Sequence, residues 1–221
     1  YTAVTDGFII NGNNVTCNLT TLTPETHYYA RVQSDCGGDV YSQFCFTDFT
    51  VTNYVDYTFN EDATSNSSYS YIPFRGSYVA YQTNSQFIIP QTSLGDLAGG
   101  TVKKLTFHST TQTADWGNAT FKVYVAEVDN TTFASNPTSL DWSAMEEVYS
   151  GSLSVVNSQM VIELDQEFTY SGTKNLMIGF EKTAVGTNAT VAWIYKSASN
   201  TCAYSYNSSY ATGELSYGRS G

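Results

Sequence analysis

Charged side chains and histidine are scarce in this sequence. Asp, Glu, Lys and Arg make up 13% of the 221 residues, about half of their share in an average soluble protein. His27 and His108 are the only histidines, so a Ser-His-Asp triad, a Cys-His pair or a histidine-based zinc site has almost no material. Short motifs that mark phosphate loops, dinucleotide sites and nucleophilic serines are also absent. We therefore predict a protein without catalytic residues.

Positive charge is the scarcer of the two signs. Nine Lys and Arg stand against 20 Asp and Glu, which gives a formal net charge of −11 and an isoelectric point near 4.3. Such a charge repels phosphate backbones and anionic lipid headgroups. No apolar run reaches the length of about 18 residues that a membrane-spanning helix needs. We expect no nucleic-acid partner and no membrane insertion.

Aromatic and hydroxyl side chains, by contrast, are abundant. Aromatic residues make up 15% of the chain and include 18 Tyr, while Ser and Thr account for 55 of the 221 residues. The aromatic side chains supply enough apolar surface for a core, and Thr, Tyr and Val favour pleated strands over helices. The composition therefore predicts an all-β fold.

Residues 1–49 contain short alternating runs that are separated by turns. Val15 to Leu22 alternates apolar and polar residues, and Tyr28, Ala30 and Val32 share one face of a second run. The run Leu-Thr-Pro-Glu-Thr-His-Tyr-Tyr from position 22, with Asp-Cys-Gly-Gly from 35 and Tyr-Ser-Gln-Phe from 41, resembles the second half of a fibronectin type III domain. The resemblance implies an immunoglobulin-like sandwich with a tyrosine at one corner. Any two-strand hairpin with a proline-containing turn is the alternative.

Residues 50–221 contain a longer series of predicted strands, among them Thr101 to His108 and Ala119 to Ala126. About eight or nine strands at this spacing indicate a two-sheet sandwich. This part resembles jelly-roll modules of the cleaved-adhesin type, which follow fibronectin type III repeats in Bacteroidota surface proteins. The residues that carry the resemblance include Tyr71-Ile-Pro-Phe-Arg-Gly, Ser85-Gln-Phe-Ile-Ile-Pro and Phe168-Thr-Tyr-Ser-Gly. It transfers architecture more safely than activity.

Two domains are therefore expected. Residues 1–49 would be the C-terminal half of a fibronectin type III-like domain, and residues 50–221 a jelly-roll-like β-sandwich whose last strand would fall after Gly221. Half a sandwich exposes an apolar face and unpaired strand edges, so upstream residues or a neighbouring chain would have to cover it. Trimming or disorder of the two ends is an equally open interpretation.

Four cysteines, Cys17, Cys36, Cys45 and Cys202, occur without a Cys-x-x-Cys pair. An even count in an acidic, Ser- and Thr-rich chain fits an oxidising compartment. Cys36 and Cys45 flank a predicted hairpin turn, so we favour a disulfide between these two. Other pairings and buried free thiols stay open, because the sequence does not show the geometry.

Seven Asn-x-Ser/Thr sequons mark exposed loops and strand faces. They begin at Asn14, Asn18, Asn66, Asn118, Asn130, Asn188 and Asn207. N-glycosylation at these sites depends on the host.

Sugar binding is the most specific function that the residues suggest. Aromatic rings stack on sugar rings while polar groups bind the hydroxyls. Trp116 and Trp142 lie in polar loops, and Tyr204 and Tyr206 belong to a tyrosine-rich tail, so these four are the candidate ligand-binding residues. For both tryptophans, packing under a loop is the alternative.

A structural Ca²⁺ is the one cofactor that the sequence suggests. Asn60, Glu61 and Asp62 form an acidic cluster at the start of the second predicted domain, and such oxygen ligands suit Ca²⁺. Their spacing is not diagnostic, so a solvated loop is the alternative.

We expect a non-enzymatic protein that is extracellular or on the cell surface. An adhesin or a filament subunit, acting through protein–protein or glycan contacts, fits the low charge and the high Tyr and Thr content. Its expected partners are other copies of itself, neighbouring domains of a longer chain, or host and environmental glycans. The alternative is a carbohydrate-binding accessory module of a secreted hydrolase.

Overall fold

A computed structural model of the chain contains two compact units, Tyr1–Asp56 and Tyr57–Gly221. The structure describes residues 8–11, 14–17, 22–23, 26–34, 36–38, 40–51, 56–58, 62–133, 137, 139–207 and 216–220, with 8–11, 14–17, 217 and 219–220 as backbone only. The junction of the units falls a few residues after the one expected at residue 49. The described residues form strands and short 3₁₀ turns without an α-helix, so the all-β prediction is confirmed.

The described part of the first unit contains two antiparallel hairpins. Strands β1 (Phe8–Asn11) and β2 (Asn14–Cys17) form one, and β3 (Thr26–Val32) and β4 (Cys45–Val51) form the other. In the second hairpin Thr26 lies opposite Val51 and Val32 opposite Cys45. Tyr28 stacks on Phe49 with ring centroids 5.9 Å apart, and its hydroxyl accepts the backbone N–H of Thr23 at 2.7 Å. The alternation predicted for Tyr28, Ala30 and Val32 therefore gives a half-buried face at Tyr28 and Ala30, whereas Val32 at the end of β3 is exposed.

The second unit contains the remaining strands. They are β5 (Ser65–Ser67), β6 (Gln82–Ile89), β7 (Thr101–His108), β8 (Ala114–Asp115), β9 (Thr120–Val128), β10 (Glu146–Gly151), β11 (Ser154–Val155), β12 (Gln159–Thr169), β13 (Asn175–Ala184), β14 (Trp193–Tyr195), β15 (Cys202–Asn207) and β16 (Ser216–Ser220). Three 3₁₀ turns lie at Gly76–Tyr78, Gln91–Ser93 and Gly95–Leu97.

One layer of the second unit is a six-stranded antiparallel sheet in the order β10-β9-β13-β6-β15-β16. Strand β13 pairs with β6 on one side and with β9 on the other, so that Gly179 lies opposite both Gln86 and Tyr124. Because side chains alternate along a strand, Leu176, Ile178 and Phe180 point to the core. The row that contains Gly179 lies on the outer face.

The second layer consists of shorter antiparallel pairs: β12 with β7, β14 with β5, and β11 with β8. Ser109 forms a bridge to Trp193, which connects the end of β7 to β14. Leu105 and Phe107 of β7 and Met160 and Ile162 of β12 contact the core cluster. The two layers thus pack as a β-sandwich with one hydrophobic core.

Phe74 lies at the centre of this core. Its ring is fully buried, and its centroid lies 4.5 Å from that of Phe121, 4.9 Å from Trp116, 5.8 Å from Phe180 and 6.0 Å from Trp193. The carbonyl of Phe74 accepts the indole N–H of Trp193 at 2.9 Å. Offset and edge-on aromatic pairs at these distances add to the free energy gained from burial.

Several strands coincide with the sequence-based expectation, and two do not. The predicted run Thr101 to His108 is β7, and the run Ala119 to Ala126 falls largely on β9. The tyrosine-rich segment expected to be a tail instead contains β15 and β16, which extend the six-stranded sheet beyond β6. Its many Ser, Tyr and Asn residues resemble loop composition, although Cys202, Tyr204 and Tyr206 alternate with smaller side chains as a strand requires.

The Phe74→Ala change tests the role of this ring. We expect it to lower the free energy of unfolding of the second unit by about 3–5 kcal/mol, because it leaves a cavity among aromatic side chains. Urea denaturation followed by tryptophan fluorescence measures the loss. Val185→Ala, which trims an exposed side chain, is the control and should stay within about 0.5 kcal/mol of the parent. Equal losses in the two variants would contradict the central role of Phe74.

Candidate functional site

Five tyrosines gather on one side of the second unit and form what we call the tyrosine cluster: Tyr69, Tyr71, Tyr78, Tyr204 and Tyr206. Tyr71 and Tyr204 stack with ring centroids 3.8 Å apart and an interplanar angle of 2°. The Tyr206 ring lies 5.3 Å from those of Tyr71 and Tyr78. Gly218 on β16 leaves room for this arrangement, since a Cβ there would lie 2.5 Å from the Tyr204 hydroxyl.

Neutral groups surround the guanidinium of Arg75 within this cluster. Its Cζ lies 4.1 Å from the ring centroid of Tyr78, 4.9 Å from that of Tyr69 and 5.5 Å from that of Tyr71. Nη1 donates to the Tyr71 hydroxyl at 3.1 Å, and Nε donates to the Ser77 hydroxyl at 3.3 Å. Cation–π contacts of this kind each contribute about 0.5–2 kcal/mol.

Burial raises the pKa of two phenols in the cluster, Tyr71 and Tyr204. It raises the pKa of Tyr71 to about 12, although the hydrogen bond and the charge of Arg75 act in the opposite direction. Burial also raises the pKa of Tyr204. The Tyr71 oxygen accepts a hydrogen bond from Arg75, so its own proton can be donated only to a different group.

A second aromatic group lies on the outer face of the six-stranded sheet. The Trp142 ring lies over Gly179, where an added Cβ would be 2.5 Å from Trp142 Cζ3. The Tyr124 ring is 5.0 Å from that of Trp142. Gln86 Nε2 donates to the Asp141 carbonyl at 2.6 Å, which ties the Trp142 segment to β6. The half-buried indole is therefore fixed on the sheet, as a preformed stacking surface would be.

Polar and charged groups accompany this indole. The Tyr124 hydroxyl donates to Glu181 Oε2 at 2.8 Å, and burial followed by this hydrogen bond raises the pKa of Tyr124. Lys122 Nζ lies 2.8 Å from Glu147 Oε2, which raises the pKa of the lysine. Aromatic and hydrogen-bonding groups thus lie together on the outer face, which is the combination that sugars require.

The first unit exposes an aromatic face, which we call the hairpin face. Its residues are His27, Tyr29, Arg31, Phe46, Asp48 and Thr50, which pair across β3 and β4. The Phe46 side chain is 83% exposed and that of Tyr29 is 75% exposed. His27 Nε2 lies 3.2 Å from Asp48 Oδ2 and its ring contacts Tyr29. An aromatic pair this exposed is unusual for a surface that faces only water.

Trp116, one of the predicted ligand-binding residues, belongs to the core. Its side chain is only 1% exposed, and its indole N–H donates to the Ala189 carbonyl at 3.0 Å. The prediction of a ligand contact at Trp116 is therefore wrong. The polar residues around it in the sequence belong to turns, while the ring itself packs against Phe74 and Trp193. Of the two predicted tryptophans, only Trp142 lies at the surface.

The predicted disulfide between Cys36 and Cys45 is not formed, and both thiols are free and exposed. The hairpin register explains the error. The N–H of Cys36 donates to the Val40 carbonyl at 2.8 Å, whereas Cys45 lies opposite Val32. The two cysteines therefore occupy different levels of the hairpin, and the prediction of a bridge is wrong. Cys202 is buried in the core of the second unit.

The predicted calcium ligands fall only partly on described residues. Asn60 and Glu61 lie outside them, while both carboxylate oxygens of Asp62 accept hydrogen bonds from Lys196 Nζ, at 2.9 and 2.8 Å. This ion pair lowers the pKa of Asp62. Within the described residues, no group of three or more His, Cys, Asp or Glu could hold a metal ion.

Most of the described sequons lie at the surface. Asn66, Asn118, Asn130 and Asn188 are exposed and Asn207 is half-buried. The side chain of Asn188 accepts the backbone N–H of Ala80 at 2.8 Å, so it takes part in the fold. The side chain of Asn14, and Asn18 as a whole, lie outside the description.

The sequence predicted Tyr204 and Tyr206 as site residues but not the partners that surround them. Tyr71 and Arg75 precede these tyrosines by more than a hundred residues, and only the pairing of β15 with β6 brings the two segments together. A local signal did exist, because Tyr69, Tyr71, Arg75 and Tyr78 follow one another closely in the sequence.

Comparison with known proteins found no matching family model, no matching curated protein and no matching solved structure. In the parts of the chain that the structure describes, no helix has the length and apolar character needed to cross a membrane.

The high pKa of Tyr71 predicts a pH dependence of stability. The folded state keeps the Tyr71 proton up to about pH 12, whereas an unfolded tyrosine loses it near pH 10. The stabilisation is therefore fully present below pH 10 and lost as the pH rises toward 12. Urea denaturation across this range should show a smaller loss for Tyr71→Phe than for the parent. Tyr69→Phe, at an exposed position, is the control. Equal losses in Tyr71→Phe and the parent would refute the assignment.

Proposed function

We propose that this chain is a non-enzymatic extracellular surface protein, an adhesin or filament subunit, whose hairpin face binds other copies of the chain. The observation that carries the proposal is the exposure of Phe46 and Tyr29 on neighbouring strands. Burying a large apolar side chain contributes about 1.5–3 kcal/mol. An interface that covered both rings would therefore gain enough to hold a contact between copies, provided that the rest of the interface fits.

The charges on the hairpin face favour a partner of the same kind. His27 and Arg31 lie on the β3 side of the face, while Asp48 lies on the β4 side. Two copies related by a two-fold axis would each present the same patch to the other, so opposite charges could face each other across the contact.

The contact of the Tyr28 hydroxyl with the Thr23 N–H supports the resemblance to a fibronectin type III domain, in which a corner tyrosine binds back to the chain. The sandwich of the second unit supports the resemblance to a cleaved-adhesin-type jelly roll. We propose both as the architecture of a surface protein. We propose the extracellular location from composition and from these resemblances. The free thiols of Cys36 and Cys45 do not support it.

Removal of both rings tests this proposal. The double variant Tyr29→Ser and Phe46→Ser should shift the chain from oligomers or filaments to monomers, because the apolar contact area is lost. Analytical ultracentrifugation over a concentration series and negative-stain electron microscopy measure the change. Val156→Ser and Val185→Ser, which change exposed side chains of the second unit, form the control and should assemble like the parent. A parent chain that stays monomeric at high concentration would refute the proposal.

A second candidate function is carbohydrate binding, with the chain as an accessory module of a secreted hydrolase. The position of Trp142 on Gly179, beside Tyr124 and its partner Glu181, favours it. The indole offers a stacking surface, and the carboxylate and amide groups nearby can bind sugar hydroxyls. No change of shape is needed before binding, since Gln86 already holds the Trp142 segment on the sheet.

The Trp142→Ala change tests this second candidate. Glycan-array signals of the parent should fall by roughly tenfold or more in this variant, because loss of a stacking ring removes about 1–3 kcal/mol. Trp142→Tyr keeps an aromatic ring and should retain part of the signal. Thermal unfolding of each variant confirms that the fold is intact. Signals that remain unchanged in a folded Trp142→Ala variant would exclude Trp142 as the binding site.

A further inference from the structure

Arg75 differs from most of the lysines of this acidic protein. Four lysines pair with carboxylates, in the ion pairs Lys103–Glu167, Lys122–Glu147, Lys174–Asp129 and Lys196–Asp62. Arg75 takes part in none of the ion pairs among the described residues, and its side-chain partners there are tyrosine rings and two hydroxyls. With 20 acidic residues against nine basic ones, a cation surrounded by neutral groups is the exception in this chain.

A second such cation lies close to the first in the fold. The Lys182 side chain is 5% exposed and takes part in no ion pair of the described residues, and burial lowers its pKa. The Asn84 side chain accepts the backbone N–H of Lys182 at 2.9 Å, and the side chain of the neighbouring Thr83 accepts the backbone N–H of Arg75 at 3.1 Å. Both basic residues are therefore anchored to the same end of β6. The Arg75 guanidinium, whose side-chain partners are neutral, is a positive charge that an anion can neutralise here.

The hydrogen-bond donors beside Arg75 suit a carboxylate. A guanidinium carries more N–H groups than the two that bind Tyr71 and Ser77, and these further groups lie in one plane. The Tyr71 hydroxyl accepts from Arg75, so it cannot donate its own proton to Arg75. Guanidinium and phenol thus present adjacent donors, which two oxygens of one carboxylate can accept.

The rings around these donors suit a sugar. Tyr69 is 72% exposed and lies 4.9 Å from the guanidinium carbon. Its ring offers an open face next to the charge, on which the apolar face of a pyranose can stack. A flexible acidic peptide would bind the charge but gain little from such a ring. The juxtaposition therefore favours a carboxylated sugar over an acidic side chain of a protein.

We propose that Arg75, Tyr71 and Tyr69 form a binding site for a uronic acid, with the sugar carboxylate on Arg75 and Tyr71 and the sugar ring on Tyr69. The site extends the carbohydrate-binding function proposed above to acidic glycans, but it depends on residues of the tyrosine cluster and not on Trp142. Either site can therefore fail without the other.

Calorimetric titration of the full chain with an oligosaccharide of galacturonic acid tests the site. The methyl-esterified form of the same oligosaccharide lacks the charge and should bind roughly tenfold more weakly or not at all, because the charge-assisted hydrogen bonds are lost. Binding of the acid form should also weaken as salt concentration rises. An oligoglutamate peptide serves as the acidic non-sugar probe and should bind more weakly than the sugar.

Substitutions assign the binding to the proposed residues. Arg75→Gln should lower the affinity for the acid form by roughly tenfold or more, and Tyr69→Ala should lower it while leaving the fold intact. Lys196→Gln removes one exposed positive charge elsewhere and should bind like the parent. Arg75→Lys, which keeps the charge without the planar donors, decides the case if Arg75→Gln fails to fold.

Several results would overturn the proposal. They are the absence of binding by the acid form, equal binding of the methyl ester, equal binding of oligoglutamate, and unchanged affinity in a folded Arg75→Gln or Arg75→Lys variant. Loss of binding in Trp142→Ala with retention in Tyr69→Ala would move the acidic glycan to the outer face of the sheet and equally refute the site at Arg75.

Discussion

The packing of Phe74 between the two layers is the contact on which the second unit depends. Its ring meets aromatic side chains from β9, β13 and β14, and its carbonyl holds the indole of Trp193. Because the buried Phe74 fixes the direction of the backbone, the position of the next residue, Arg75, is fixed as well. Its backbone N–H donates to the Thr83 hydroxyl. The cluster of tyrosines around Arg75 is therefore a consequence of the core, and the rigidity of the site comes from the same burial that stabilises the sandwich.

Charge contributes less to the stability of the second unit than aromatic packing does. Lys103, Lys122, Lys174 and Lys196 lie in ion pairs with aspartate or glutamate, contacts that contribute little to folding in water. The sandwich relies instead on aromatic packing, which salt does not screen as it screens ion pairs. Changes of ionic strength should thus act on electrostatic contacts with ligands more than on the fold itself.

The sequence was a good guide to strands and a poor guide to exposure. The alternation in the run from Ala119 to Ala126, and the apolar residues Val102, Leu105 and Phe107 in the run from Thr101 to His108, indicate strands because such patterns are local. The polar sequence neighbours of Trp116 left both a ligand contact and packing under a loop open, and long-range packing against Phe74 places the ring inside. Likewise the distance between Cys36 and Cys45 depends on the hairpin register, which the residues of the turn alone do not specify. Arg75 was missed although its partners Tyr69, Tyr71 and Tyr78 lie within a few residues of it in the sequence; only Tyr204 and Tyr206, which stack on these tyrosines, come from a distant strand.

Gly179 lies in the middle of β13, where a glycine is an unusual choice for a strand. The missing side chain is the space that Trp142 occupies. Any larger residue at position 179 and an indole at position 142 exclude each other, so the two positions are bound to change together. In a set of relatives, a lineage that replaces this glycine should also have lost the tryptophan, and the pair would then report the history of the outer face more faithfully than either residue alone.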